Sequence, residues 1–343
     1  MVNNKKEIYM NPFVQEIVNT FLPTLNTMAL LFLFIALGYL LAKLKLVPDG
    51  TAGILAKLEN FVLLPASVLS SFIRNFTLDN IGNYLAFFIG GIVAILISIP
   101  IAILIARLGT KDSYLRKIYT YGLSFPNFGF MGYAVVLGVN PAIYTSYLVF
   151  VIPFWALIYV WGVPSLLIPS DDGKKTVKSR LKAFLNPMFI AMVVGMILGI
   201  VLGLLGKTPS KDSTLFIISA MDQLGACMSP VAMLLTGMTI AKIDLKKTFT
   251  KTSLYIISLF RLIVIPLAFI AALIFIPSSF VSPELKFCII CAASMPLGLN
   301  TIVIPSAYGL DTTEASGMAL ISHLLSCLSI PIVFALFNLL VSA

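Results

Sequence analysis

The chain has 343 residues, of which 59% are hydrophobic and 11% charged, with a net charge of +9 and a mean hydropathy of +1.02. An ordinary soluble domain carries about 25% charged residues, so a chain this poor in charge does not cover its own surface in water. The composition excludes a soluble enzyme, a nucleic-acid-binding protein and a disordered chain, and it leaves a polytopic membrane protein.

A helix needs about 20 mostly apolar residues to cross the hydrocarbon core. Ten segments qualify: 23–42, 52–73, 81–106, 117–139, 142–168, 183–206, 214–240, 252–277, 285–308 and 315–341. Runs such as Met28–Ala42 and Leu85–Ile105 do not alternate as barrel strands do. Helices also satisfy their own backbone in lipid, so the fold class is all-α. The first span is followed by Lys43-Leu44-Lys45 rather than by a small-residue cleavage site, and it reads as a retained helix.

Basic residues fall mainly on one side. Sixteen lie with the odd-numbered loops: Lys43, Lys45 and Lys57, then Arg107, Lys111, Arg116 and Lys117, then Lys174 to Lys182, then Lys242 to Lys251. Six lie opposite: Lys5, Lys6, Arg74, Lys207, Lys211 and Lys286. The richer side is predicted to be cytoplasmic, which places both termini outside a cell membrane.

Taken in order, span 2 carries Glu59-Asn60 and Pro65, and span 3 carries Pro100. Span 4 reads Tyr121-Gly122-Leu123-Ser124-Phe125-Pro126-Asn127-Phe128-Gly129-Phe130-Met131-Gly132. A polar, basic linker at 169–182 follows span 5, read as a solvated connector between halves 1–168 and 183–343. Span 7 holds Asp222-Gln223 and Pro230, and span 8 holds Arg261 and Pro266. Span 9 reads Ser294-Met295-Pro296-Leu297-Gly298-Leu299-Asn300-Thr301, and span 10 holds the chain's one histidine, His323.

The prolines expose an internal repeat. Pro23 and Pro187, Pro65 and Pro230, Pro100 and Pro266, and Pro126 and Pro296 match at offsets of 164, 165, 166 and 170. Five helices per unit is an odd number, so the second unit inserts upside down. Inverted repeats with broken helices at the midplane are a transporter architecture.

Pro126 and Pro296 lie near the middle of their spans, where each removes a backbone donor and clashes with the preceding turn. Neighbouring glycines loosen the helix further. Two broken helices would present positive half-helix N-termini at mid-membrane, a setting that favours an anionic group such as a carboxylate. Asn127 and Asn300 are placed to donate to it. Charge at such depths is costly and is paired or functional. Asp222 reads as a cation ligand, a proton shuttle or a partner for Arg261; Glu59 as a solvated helix end or a functional acid; Arg261 as an ion-pair or substrate residue; His323 as a hydrogen-bonded packing residue. Cys227, Cys288, Cys291 and Cys327 sit inside spans and read as packing.

These motifs carry a resemblance. Pro126-Asn127-Phe128-Gly129-Phe130-Met131-Gly132 resembles the crossover motif of the auxin efflux carrier (PIN-like) family, Pro-Asn-x-x-x-Met-Gly-x-Pro, with Ala134 in place of the second Pro. Met295 to Asn300 resembles the Met-Pro-x-x-x-Asn of its bacterial members, and Asp222-Gln223-Leu224-Gly225 with Pro230 and Gly237 resembles its seventh helix. Ser322 to Pro331 resembles its last helix. The resemblance implies ten helices, with spans 1, 2, 6 and 7 as a scaffold and spans 3–5 and 8–10 as a transport unit in which spans 4 and 9 cross. It also implies a homodimer and an organic-anion substrate held by Pro126, Asn127, Met131, Pro296, Asn300 and Thr301. The short linker resembles the bacterial members rather than the long-loop plant carriers.

The expected function is therefore secondary transport of a small carboxylate, with possible proton or sodium coupling and no cofactor. The alternative is a sodium-coupled symporter resembling the bile acid–sodium symporter family, with sodium held at Asp222 and Gln223. An intramembrane enzyme would need a nucleophile and base or a metal site, and beyond a Ser–His pair at His323 the sequence offers neither. A sensor that binds without transporting is the remaining class.

Overall fold

The computed structural model describes residues 11, 14–15, 17–168, 187–209, 216–242 and 249–341. The linker at 169–182, the start of span 6 and Lys5, Lys6 and Lys211 lie outside the described residues. The described residues form twelve main helices. These are α1 (Val18–Lys43), α2 (Thr51–Asn75), α3 (Leu78–Gly109), α4 (Ser113–Ser124), α5 (Phe130–Val139), α6 (Pro141–Leu167), α7 (Pro187–Leu204), α8 (Phe216–Ile240), α9 (Thr252–Ile274), α10 (Pro283–Ser294), α11 (Asn300–Ala307) and α12 (Thr313–Val341).

Eight of these are long and apolar enough to cross a membrane. The fourth and ninth segments of the sequence do not count among the eight, because each is divided: α4 and α5 share one, α10 and α11 the other. The two divided segments begin alike. The Asp112 side chain caps α4 by accepting from the Leu115 amide at 2.9 Å, and Ser282 caps α10 by accepting from the Leu285 amide at 3.2 Å. Such caps satisfy amides that the first turn leaves without partners. One residue further on, Arg116 donates to the Thr110 carbonyl and Lys286 to the Ile276 carbonyl, so each basic side chain closes the end of the preceding span.

Proline also shapes the undivided helices. The turns before Pro65 and Pro266 widen into π-helical stretches, Glu59–Leu63 and Phe260–Val264. A proline ring clashes with the carbonyl one turn back and offers no donor to it, and a widened turn accommodates both effects. Glu59 and Arg261 sit in these two turns.

α1 packs along α8, and α2 along α7. In lipid, helices associate through close backbone approach at small residues. Gly237 of α8 shows why: a Cβ there would lie 1.9 Å from the Ile35 carbonyl oxygen of α1. Elsewhere α3 packs against α4 and α6, while α9 packs against α10 and α12. Lys251 at the head of α9 pairs with Glu314 at the head of α12, and the Tyr114 hydroxyl of α4 donates to the Asp311 carbonyl at 2.6 Å.

Candidate functional site

The five residues Phe125–Gly129 separate α4 from α5, and the five residues Met295–Leu299 separate α10 from α11. The two links touch. Pro126 and Leu297 form an isolated antiparallel bridge, and the Asn127 amide donates to the Pro296 carbonyl at 2.8 Å. With both helices interrupted, the Asn127 amide and the Pro296 carbonyl have no partner within their own segments and meet each other across the links.

Glycine lets the links approach. A Cβ on Gly298 would lie 2.9 Å from the Phe125 carbonyl oxygen, a backbone atom with no room to give. Gly298→Ala is therefore expected to lower the melting temperature of the purified protein, at a cost of about 1–3 kcal/mol for overpacking. Gly122→Ala should cost less, because the nearest atoms its Cβ would meet belong to the Leu297 side chain rather than to backbone. Equal melting of the two variants would contradict this account.

Arg261 holds the ends that the breaks expose. Its Nη1 donates to the Leu123 carbonyl at 2.8 Å, Nε to Met295 at 2.9 Å, and Nη2 to Ala293 at 2.6 Å and Ala292 at 3.1 Å. These carbonyls belong to the C-terminal ends of α4 and α10 and the residue after it. Such ends carry partial negative charge and lack intrahelical donors. The guanidinium, 1% exposed, thus meets two helix ends rather than an acid. Among the described residues the ion pairs are Arg74–Asp222 and Lys251–Glu314, so the Asp222–Arg261 pairing weighed from sequence is replaced by Asp222–Arg74.

On the other side of the links, α12 supplies polar partners. Ser322 Oγ accepts from the Leu297 amide at 3.1 Å. His323 Nδ1 lies 2.7 Å from the Ala319 carbonyl, so Nδ1 carries the proton, and Nε2 accepts from Asn127 Nδ2 at 3.1 Å. His323 is fully buried and hydrogen-bonded through both ring nitrogens, and it orients the amide of Asn127. Asn300 Nδ2 donates to the Tyr121 hydroxyl at 3.1 Å. Each asparagine amide has two N–H donors, and each of these bonds uses one.

Tyr121, Pro126, Asn127, Trp155, Leu299 and Asn300 line a cavity of about 30 Å³ at the links. That is space for about one water molecule. Three of the six residues expected from sequence line it: Pro126, Asn127 and Asn300. Pro296 contributes its carbonyl to the bridge, buried Met131 lies with its sulfur 4.0 Å from Ser326 Oγ, and Thr301 donates to the Gly298 carbonyl at 2.8 Å. These three shape the links from behind. Tyr121, Trp155 and Ser322 carry no distinguishing signal in the sequence, since aromatic residues and serines are scattered through it and only pairing distinguishes these three.

The remaining candidates lie apart. Glu59 is 1% exposed, so it is not a solvated helix end, and its Oε2 has no hydrogen-bond partner. The widened turn Glu59–Leu63 packs against α8 and α7 with Glu59 and Leu63 buried, while Asn60, Phe61 and Val62 are exposed. Asp222 accepts from Ser70 at 2.6 Å and Arg74 at 2.5 Å. Gln223 is exposed and donates to Ser219 of its own helix at 3.3 Å. Adjacent residues on a helix point about 100° apart, and Asp222 and Gln223 bond different neighbours.

A model of the membrane transport protein family matches residues 23–334. The chain belongs to that family. Comparison with curated proteins gave no match. The family is the one to which the auxin efflux carriers belong, as the motifs in spans 4 and 9 indicated. Membership makes this chain a membrane transport protein, in keeping with its eight membrane-length apolar helices.

Proposed function

We propose that this membrane transport protein is a secondary transporter of a small organic anion, a carboxylate, working by alternating access with its site at the links between α4 and α5 and between α10 and α11. The observation that carries the reading is the joining of two breaks, each beside an asparagine amide with a donor to spare and each followed by the N-terminus of a new helix. Helix N-termini and amide donors favour a carboxylate. The cavity of about 30 Å³ is the contracted form of the site, which widens when substrate enters.

On this reading the eight long helices and two divided ones are ten spans in two inverted repeats. The matched caps at Asp112 and Ser282 and the exchanged pairing of α1 with α8 and α2 with α7 support the repeat. The scaffold is α1, α2, α7 and α8; the remaining helices form the moving unit. The lysine-rich side faces the cytoplasm, both termini face out of the cell membrane, and two copies pair through the scaffold as the family resemblance implies.

Uptake of labelled succinate into proteoliposomes tests the site. A hydrogen bond to a charged group contributes about 1.5–3 kcal/mol, and 1.4 kcal/mol is tenfold. Asn127→Ala and Asn300→Ala are each expected to lower succinate affinity by about ten- to hundredfold, with melting temperature retained. Normal uptake by both variants rejects the site.

Proton coupling at Glu59 belongs to the same reading, because an acid buried in the membrane without a partner for one oxygen is functional by default. Glu59→Gln keeps the shape and lacks the exchangeable proton. It is expected to fold and to lose acceleration of uptake by a pH gradient; retained acceleration removes Glu59 from the mechanism.

A further inference from the structure

A second polar cavity, of about 440 Å³, lies between α2, α6 and α8, at the end of α2 remote from Lys43, Lys45 and Lys57. It shares no lining residue with the cavity at the links. Its volume falls within the range of small-molecule sites, about 300–1,000 Å³. Ser67, Ser70, Arg74, Asn75, Tyr144 and Asp222 supply its polar wall.

Arg74 is the cationic group in that wall, and its fork is only partly used. Nη2 donates to Asp222 Oδ2, while Nε is buried and has no partner. A guanidinium offers five N–H donors arranged to match a carboxylate through two parallel bonds. Asp222 therefore meets Arg74 end-on and leaves the Nε edge unmatched. The Asp222 side chain is 36% exposed, and ion pairs with that much solvent contact are weak and exchangeable. Around them the Ser67 and Tyr144 hydroxyls bond each other at 3.0 Å, and Asn75 Nδ2 donates to Thr145 at 3.0 Å. The cavity thus has one cation, one competing internal carboxylate, and hydroxyl and amide groups that at present bond one another, Asp222 or the backbone.

We propose that this cavity is a second anion site, a vestibule in which Arg74 receives the carboxylate of the transported anion and Asp222 is the resident carboxylate that it displaces. The identity of the anion rests on the transport reading above; the vestibule itself does not use Asn127 or Asn300. Displacement explains why a basic and an acidic residue share a polar cavity at the mouth of a carrier. The internal acid keeps Arg74 held when no substrate is present and gives way when one arrives.

The test uses the full-length protein in detergent, with potassium succinate as probe. Potassium chloride at equal ionic strength and uncharged succinamide are the controls, and binding is read by calorimetry and melting temperature. The Asn127→Ala/Asn300→Ala double variant removes the donors at the links, so succinate binding that persists in it reports the vestibule. In that background Asp222→Asn is expected to bind succinate about fivefold more tightly, the factor with which an exposed ion pair competes. Arg74→Gln is expected to abolish the binding, and Arg74→Lys to weaken it. Where Arg74→Gln does not fold, the sign of the Asp222→Asn effect decides. Binding unchanged or weakened by Asp222→Asn, or no succinate binding in that variant, overturns the vestibule. Normal transport by the double variant would instead reject the site at the links and leave the vestibule standing.

Discussion

Arg261→Met is expected to yield no monodisperse protein in detergent, and Arg261→Lys to yield a folded protein that melts at a lower temperature. Arg261 donates to four carbonyls drawn from both divided spans. Methionine fills most of the volume and supplies no donor. In a membrane interior no bulk water takes over the carbonyls. Leaving a buried polar group without its partner costs about 1–3 kcal/mol. The Ala292 carbonyl keeps a bond from the Met295 amide, so three carbonyls lose their partner, a loss comparable with much of the stability of a typical domain, about 5–15 kcal/mol. The charge matters as well as the donors. Two helix C-termini meet the guanidinium, and their partial negative charges compensate it in place of an acid. Lysine keeps the charge but concentrates its three donors on one atom, which does not span carbonyls on two helices as the planar fork does. Fluorescence-detected size exclusion and thermal melting distinguish the three proteins. An Arg261→Met variant that melts like the parent would show that the links hold together without the clamp.

The positions of the eight long helices and of both breaks are legible in the sequence because their causes are local. A run of apolar residues sets a span, and a proline flanked by glycine within it removes a donor and loosens the turn. Pro126 with Gly129 and Pro296 with Gly298 mark the links within a residue or two. The partners of the polar residues are not legible, because pairing is a property of the packed fold. Arg74 reads as a loop charge at the end of a span, and only the approach of α8 to α2 makes it the partner of Asp222. Arg261 reads as half of an ion pair, since the unsatisfied carbonyls that attract it exist only once two helices have broken beside it. The adjacency of Asp222 and Gln223 does not disclose their partners, because neighbours in a helical sequence face different directions. The widened turns at Glu59 and Arg261 have a visible signal, a proline five or six positions downstream, that links a charged residue to an irregular backbone.

Cross-linking Ser71→Cys to Thr145→Cys is expected to stop transport completely and reversibly. The Ser71 and Thr145 hydroxyl oxygens lie 2.6 Å apart, joining α2 to α6. Under the proposed mechanism α2 belongs to the scaffold and α6 to the moving unit, so this contact must break in each cycle. Its chemistry suits breaking: Ser67 with Tyr144, Ser71 with Thr145, and Asn75 with Thr145 are hydroxyl and amide contacts without ionic partners. Each contributes about 0.5–1.5 kcal/mol net, enough to define a resting position and small enough to exchange for water. A disulfide requires Cβ atoms about 3.5–4.5 Å apart, and side chains whose terminal oxygens touch meet that requirement with little adjustment. The bond replaces an exchangeable contact with one that thermal motion does not open. Oxidised double-cysteine protein in proteoliposomes should therefore bind succinate and not move it, and dithiothreitol should restore uptake to the level of each single variant. The native cysteines require the parent and both single variants as controls, because Cys227 is exposed. Full uptake by the oxidised Ser71–Thr145 pair would mean that α2 and α6 travel together, and the division into scaffold and moving unit would have to be drawn elsewhere.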